Sequence, residues 1–130
     1  MFEFMSVKNN NISIKVNSRF VKNRSSPENF IFLFSYDVKI KNNGESEIQL
    51  LSRYWHIQDG DGNVEEVRGS GVIGLQPLIK PGATFEYSSF CSLKTPFGMM
   101  SGSYQMKFKS EGIFDAPISA FSLHANEHID

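Results

Sequence analysis

"GSGVIGLQPLIKPG", residues 69 to 82, decides how this chain is read. Its first six residues have the G-x-G-x-x-G spacing of a dinucleotide-binding fingerprint. In such a site the last glycine opens a helix whose N-terminus faces a pyrophosphate, and an acid about twenty residues further on holds the ribose. Neither condition is met. Pro77 and Pro81 follow Gly74 and would break that helix, and "YSSFCSLK" (87 to 94) offers no carboxylate. The segment therefore reads as connecting backbone, where Gly69, Gly71 and Gly74 permit shapes or close approaches that a side chain forbids. A weaker chemical reading stays open: three glycines can line up amide groups into an anion-binding nest without a helix. The run from 69 to 82 is also long for a strand connection, and loops of that length are often functional.

On either side of it the chain alternates with period two. "ISIKVNSRF" (12 to 20) sets Ile12, Ile14 and Val16 against Lys15, Asn17 and Arg19, a half-buried strand with its cations in water. "NFIFLFSYDVKIKN" (29 to 42) places Phe30, Phe32, Phe34, Tyr36, Val38 and Ile40 on one face, and Ile31 and Leu33 make its first half apolar on both. So apolar a strand belongs mid-sheet, because an edge like it would invite aggregation. "EIQLLSRYWHIQ" (47 to 58), the hairpin signal "DGDG" (59 to 62) and "NVEEVR" (63 to 68) follow. Beyond the glycine segment, "KPG" (80 to 82) suits a type II turn. "TFEYSSFCSL" (84 to 93), the turn "TPFG" (95 to 98), "GSYQMKFKS" (102 to 110) and "PISAFSLH" (117 to 124) complete the series. No window sustains a helical period. About seven short strands argue for an all-β chain, an immunoglobulin- or fibronectin type III-like antiparallel β-sandwich. Trp55 in the third strand and Tyr104 in "GSYQM", a resemblance to a tyrosine corner with Met106 in place of a disulfide cysteine, favour that topology. Each is equally read as an ordinary core side chain.

Composition bounds the function. The 130 residues suit one domain, with 1 to 10 and 124 to 130 expected to fray. Cys91 is the only cysteine, so no internal disulfide can form and a reducing, cytoplasmic home is expected. The opening "MFEFMSVKNNN" carries Glu3 and lacks the basic and apolar regions of a secretory signal. No apolar stretch is long enough to span a bilayer. A net charge of -1 gives no general attraction to nucleic acid. The cluster Lys8, Lys15, Arg19, Lys22 and Arg24 reads as a solvated face rather than an anion patch.

Three constellations resemble chemical sites and fall short. "HANEH" (124 to 128) has the spacing of an inverted zinc-protease motif, with His124 and His128 as ligands and Glu127 as base, but a third ligand and a rigid helix are lacking. Cys91 with His56 makes a nucleophile and base without an orienting group or oxyanion device. Asp59 and Asp61 start a calcium loop whose remainder is missing. No catalytic residue, metal site or cofactor is assigned.

The stretch from Ser52 to Met106 carries Arg53, Trp55, the glycine segment, Pro77, Pro81-Gly82, Tyr87, Thr95-Pro96, Gly98 and Gly102-Ser103-Tyr104. In that combination it resembles the ApaG family of small bacterial proteins. "SSPENFIFLFSYDVKIKN" (25 to 42) and "FDAPISAFSL" (114 to 123) fit the pattern too, whereas Ser119 and Phe90 depart from it. The resemblance implies a fibronectin type III-like sandwich, often dimeric in crystals. It also implies a link to cobalt and magnesium tolerance and, through related domains in larger eukaryotic proteins, recognition of partners. A non-enzymatic binding module is expected, engaging a protein or a small anionic ligand through Arg53, Gly69, Gly71, Gly74, Pro77, Tyr87 and Thr95. The alternative is a nucleotide or pyrophosphate receptor using loop amides and Arg53.

Overall fold

The computed structural model describes residues 11–109 and 112–125. The expected fraying of 1 to 10, Lys8 of the basic cluster, and "HANEH" beyond residue 125 lie outside the described residues. Among the described residues eight strands form: β1 (Ile12–Phe20), β2 (Phe32–Asn42), β3 (Ile48–Asp59), β4 (Val64–Ser70), β5 (Leu78–Ile79), β6 (Thr84–Leu93), β7 (Phe97–Phe108) and β8 (Ile113–His124). They build two antiparallel sheets, one ordered β1-β2-β6 and the other β4-β3-β7-β8, with the short β5 beside β3. The fold is the all-β sandwich that the alternation predicts, and Cys91 is a free, buried thiol.

Period two places the core. The very apolar β2 is the middle strand of its sheet, and Phe34, Tyr36, Val38 and Ile40 point inward and are buried. From the facing sheet come Leu50, Trp55, Met100, Tyr104 and Met106. Trp55 lies edge-on to Tyr36, Phe121 and Tyr104, with ring centroids 5.5, 6.0 and 6.2 Å away, an arrangement favoured by the ring quadrupoles. On one side the sheets meet where β1 packs against β8, and the Ser18 hydroxyl donates to the Ser122 carbonyl at 3.0 Å. The other side of the sandwich is bounded by β4 and β6, each the last strand of its sheet.

Several local expectations are corrected. Phe30 does not join the inward row of β2: it sits before the strand at φ 58° and is 68% exposed. Tyr104 is not a tyrosine corner. It lies within β7, and its hydroxyl pairs with the Tyr87 hydroxyl across the sandwich rather than with backbone. The turn at 95 to 98 ends earlier than read, because β7 begins at Phe97. β8 begins at Ile113 and carries Pro117 in its interior, a placement tolerated on an edge strand, where one ladder N–H is dispensable. Asn42 was not singled out, yet it is buried and ties three segments together. Its amide donates to the carbonyls of Ser46 (2.8 Å) and Ile79 (2.9 Å), and its oxygen accepts from the Gly44 N–H at 2.9 Å.

Candidate functional site

β4 runs beside β3 in the register Ser52 opposite Ser70 and Arg53 opposite Gly69. The ladder continues one step further, where the Gly71 N–H donates to the Leu51 carbonyl at 2.8 Å. Val72 and Leu75 then exchange two backbone hydrogen bonds, both 2.8 Å, around Ile73 at φ 43° and Gly74 at φ 80°. Positive φ at both central residues is the two-residue type I′ hairpin turn. Gly71 is itself at φ 60°, and a Cβ there would lie 2.1 Å from the Leu75 oxygen. The "GSGVIG" stretch is thus the end of one strand and a miniature hairpin.

The return path is sewn to β3. Gln76 donates its side-chain amide to the Leu51 carbonyl at 2.9 Å, and the Gln49 side chain donates to the Gln76 carbonyl at 3.2 Å. Pro77 accepts from the Leu50 N–H at 3.0 Å, next to the bulge between Leu50 and Ser52. β5 then pairs with Ile48 and Gln49. The length that marked this connection as unusual is spent following the edge of β3. Val72 plugs the hairpin into the core at 1% exposure, whereas Ile73, Leu75 and Leu78 are 58%, 51% and 62% exposed.

Arg53 lies beneath the hairpin. Its Nη1 donates to the carbonyls of Ser70 (3.0 Å) and Gly71 (2.9 Å). A Cβ on Gly69 would stand 2.8 Å from the guanidinium carbon and nitrogens, so Gly69 is the floor on which the group lies. The segment therefore turns carbonyl oxygens toward a cation. The amides of Gly71, Val72 and Leu75 already serve backbone acceptors, which leaves those of Ile73 and Gly74 for any other use.

Three tyrosines face Arg53 from the core. Burial pushes the Tyr87 phenol up to about 12, with the Tyr104 hydrogen bond and the Arg53 charge acting in the opposite direction. Burial likewise raises Tyr36 and, more strongly, Tyr104, while Arg53 pulls both back. Burial and then the charge of Glu65 push the Cys91 thiol up to about 11, which makes it a poor nucleophile at neutral pH. His56 follows the inward Trp55 and so points to the opposite face of β3, away from Cys91. Asp59 accepts the amides of Asp61 and Asn63 at 2.9 Å, so in "DGDG" it closes the turn.

The structure brings Arg53, Gly69, Gly71, Gly74 and Pro77 into one neighbourhood, and Tyr87 reaches Arg53 electrostatically from the other sheet. Thr95 is elsewhere. It is buried at the far end of β3, where its hydroxyl accepts from the Gly60 N–H at 2.8 Å and donates to the Phe97 carbonyl at 2.7 Å. Sequence reasoning passed over Ile73, Leu75, Leu78 and Gln76. The available signal was "VIGLQPLI", an apolar run inside a loop rich in glycine and proline. Among the described residues no group of three or more His, Cys, Asp or Glu could hold a metal ion, and no helix is long and apolar enough to cross a membrane.

Comparison with known proteins agrees with this architecture. Protein ApaG of Methylobacterium radiotolerans is 51% identical over 112 residues, 86% of each chain. Protein ApaG of Azotobacter vinelandii is 50% identical over 86% of this chain and 89% of its own. The crystal structure of the putative ApaA protein from Bordetella pertussis superposes with a TM-score of 0.86 at 43% identity, covering 88% of this chain and 94% of that one. Residues 22–108, from the turn before β2 to the end of β7, match the family model described as the ApaG domain, and the chain belongs to that family.

Proposed function

We propose that the chain is a non-enzymatic interaction module that docks a protein partner on the rim of the glycine hairpin. Ile73, Leu75 and Leu78 supply the contact, Gly74 and Pro77 shape it, and Arg53 with Gly69 and Gly71 holds its base. The observation that carries this reading is Ile73. A β-branched residue at φ 43° costs about 1 to 2 kcal/mol relative to glycine or asparagine, and a side chain 58% exposed recovers little of that by burial within the chain. An apolar side chain held out to solvent at such a position gains its contacts in a complex.

Other observations point the same way. The relatives carry the name Protein ApaG rather than that of an enzyme. The hairpin spends the amides of Gly71, Val72 and Leu75 on backbone acceptors and turns two carbonyls toward Arg53, which argues against capture of nucleotide phosphate by the loop. In this reading the family's link to cobalt and magnesium tolerance acts through the partner, in the cytoplasm. Ile73→Asn tests the proposal, because asparagine favours the turn and removes the apolar contact. Partners that the immobilised chain captures from cell extract should be lost from the variant while its urea midpoint holds or rises. Equal capture by both chains refutes the assignment.

A further inference from the structure

The side of the sandwich bounded by β4 and β6 does not close. An open cleft of about 360 Å³ enters there, lined by Tyr36, Arg53, Trp55, Glu65, Ser89 and Cys91 among others. The cause is legible residue by residue. On β4 the inward positions are Glu65, Val67 and Gly69, and on β6 the inward positions between Tyr87 and Leu93 are Ser89 and Cys91. On the β6 side the inward side chains are small, and on the β4 side a charged Glu65 and a glycine leave only Val67 as an apolar filler, where a sandwich ordinarily meets with interdigitating apolar side chains. Trp55, Ile57, Val67 and Met100 give the interior an apolar wall.

Arg53 supplies the polar end. Its Nη1 is held by two carbonyls. Its Nε and Nη2 have no hydrogen-bond partner among the described residues, and neither is cut off from solvent. A guanidinium fixed on one side with N–H groups free on the other is prepared for the fork geometry of a carboxylate. Glu65 lies four residues from Gly69 along β4, about 13 Å at strand rise, and sets a negative charge at the far rim. That charge opposes ligands that are anionic along their whole length.

We infer that this cleft binds a small monoanionic carboxylate with an aromatic or branched apolar body, its carboxylate on Arg53 and its body against Trp55 and Met100. The site is separate from the hairpin rim.

Trp55 is the only tryptophan and lines the cleft, so its emission reports occupancy. The probes are phenylacetate, the neutral isostere phenylacetamide, and pyrophosphate. Phenylacetate should give a saturable change with a dissociation constant in the millimolar range, as expected for roughly ten heavy atoms. Phenylacetamide should bind roughly tenfold more weakly or worse, having lost the charge-assisted contact. Ser89→Leu, which fills the seam and leaves the guanidinium itself unchanged, should abolish the response, and Arg53→Lys should weaken it about tenfold. Nitrogen-15 spectra of the unmutated chain give a second measurement: phenylacetate should shift the Arg53 Nε–H, the Trp55 indole N–H and the Ser89 amide. No saturation by phenylacetate, an equal response to the amide, shifts confined to Gly71–Gly74, or saturation of the same signals by pyrophosphate would each overturn the inference.

Discussion

Alanine placed in turn at Gly69, Gly71 and Gly74 separates three reasons for a glycine and tests the reading of the hairpin. At Gly74 a Cβ meets nothing within 4 Å, and only φ 80° resists it, so Gly74→Ala should cost about 1 to 2 kcal/mol, the penalty for a left-handed L-residue. Gly71→Ala carries the same penalty at φ 60° and adds a Cβ placed 2.1 Å from the Leu75 oxygen. Relief requires parting Val72 from Leu75, two backbone hydrogen bonds worth about 1 kcal/mol each, for a total of about 3 to 4 kcal/mol. Gly69 has no positive φ to defend, but its Cβ would stand only 2.8 Å from the Arg53 guanidinium, so that group would have to shift. Loss of that group's two charge-assisted bonds, partly recovered in water, sets Gly69→Ala at about 2 kcal/mol. The assay is urea unfolding followed by Trp55 emission, with the m-value required to stay constant. The expected order of cost is Gly71, then Gly69, then Gly74. A Gly74 variant as damaging as the Gly71 variant, or a silent Gly69 variant, would refute the geometry argued for this hairpin.

Tyr104→Phe should destabilise by about 1 to 3 kcal/mol because it leaves the buried Tyr87 hydroxyl alone, and the double change with Tyr87→Phe should cost less than the sum of the singles in the same urea assay. Asn42→Leu should cost about 2 to 3 kcal/mol by stranding the Gly44 N–H and the Ser46 and Ile79 carbonyls, seen as a lower urea midpoint. In alkali the folded chain keeps protons that the unfolded chain releases, since Cys91 is raised from 9.0 to about 11 and Tyr87 from 10.0 to about 12. Stability from these groups is therefore fully present below pH 9.0 and lost as pH rises through about 11 and 12, measured as midpoints that fall across that window and hold below it.

Strand by strand, legibility followed burial. β1 and β6 could be bounded from alternation because one face of each is covered and the other wet, and the apolar row of β2 announced its central place though not its start at Phe32. The rejection of a helix after Gly74 needed only Pro77, Pro81 and a missing acid. What escaped had its cause far along the chain. β5 is two residues long and exists because Ile48 and Gln49 present an unpaired edge beyond the end of β4. Pro117 hid the first half of β8, whose place at a sheet edge makes the missing N–H harmless. Asn42 is the last residue of the predicted strand and a polar one, and only the arrival of Ile79 shows it buried. For the site, the glycines and Arg53 were singled out separately; that they form one unit follows from the register of β3 and β4, which no single segment encodes. Thr95 was grouped with them by resemblance, and the fold sends it to the opposite end of β3.

The two seams of the sandwich show why the open one is a feature of the sequence. Where β1 meets β8 the chain sets large rings: Phe20 packs on Phe34 at 5.5 Å, and Phe121 on Tyr36 at 6.2 Å. Where β4 meets β6 it sets Glu65, Val67, Ser89 and Cys91 and no inward ring. A chain with twelve phenylalanines has the means to close both seams, and closing the second would bury more apolar surface at about 25 cal/mol per Å². Instead that seam holds a guanidinium, which must find hydrogen bonds or water wherever it is partly buried. The hairpin supplies two of those bonds through the carbonyls of Ser70 and Gly71, and it can do so because Gly71 turns its backbone at φ 60°. The glycine segment therefore faces two ways from the sheet edge: outward it presents Ile73, and inward it fixes the charge that faces the cleft.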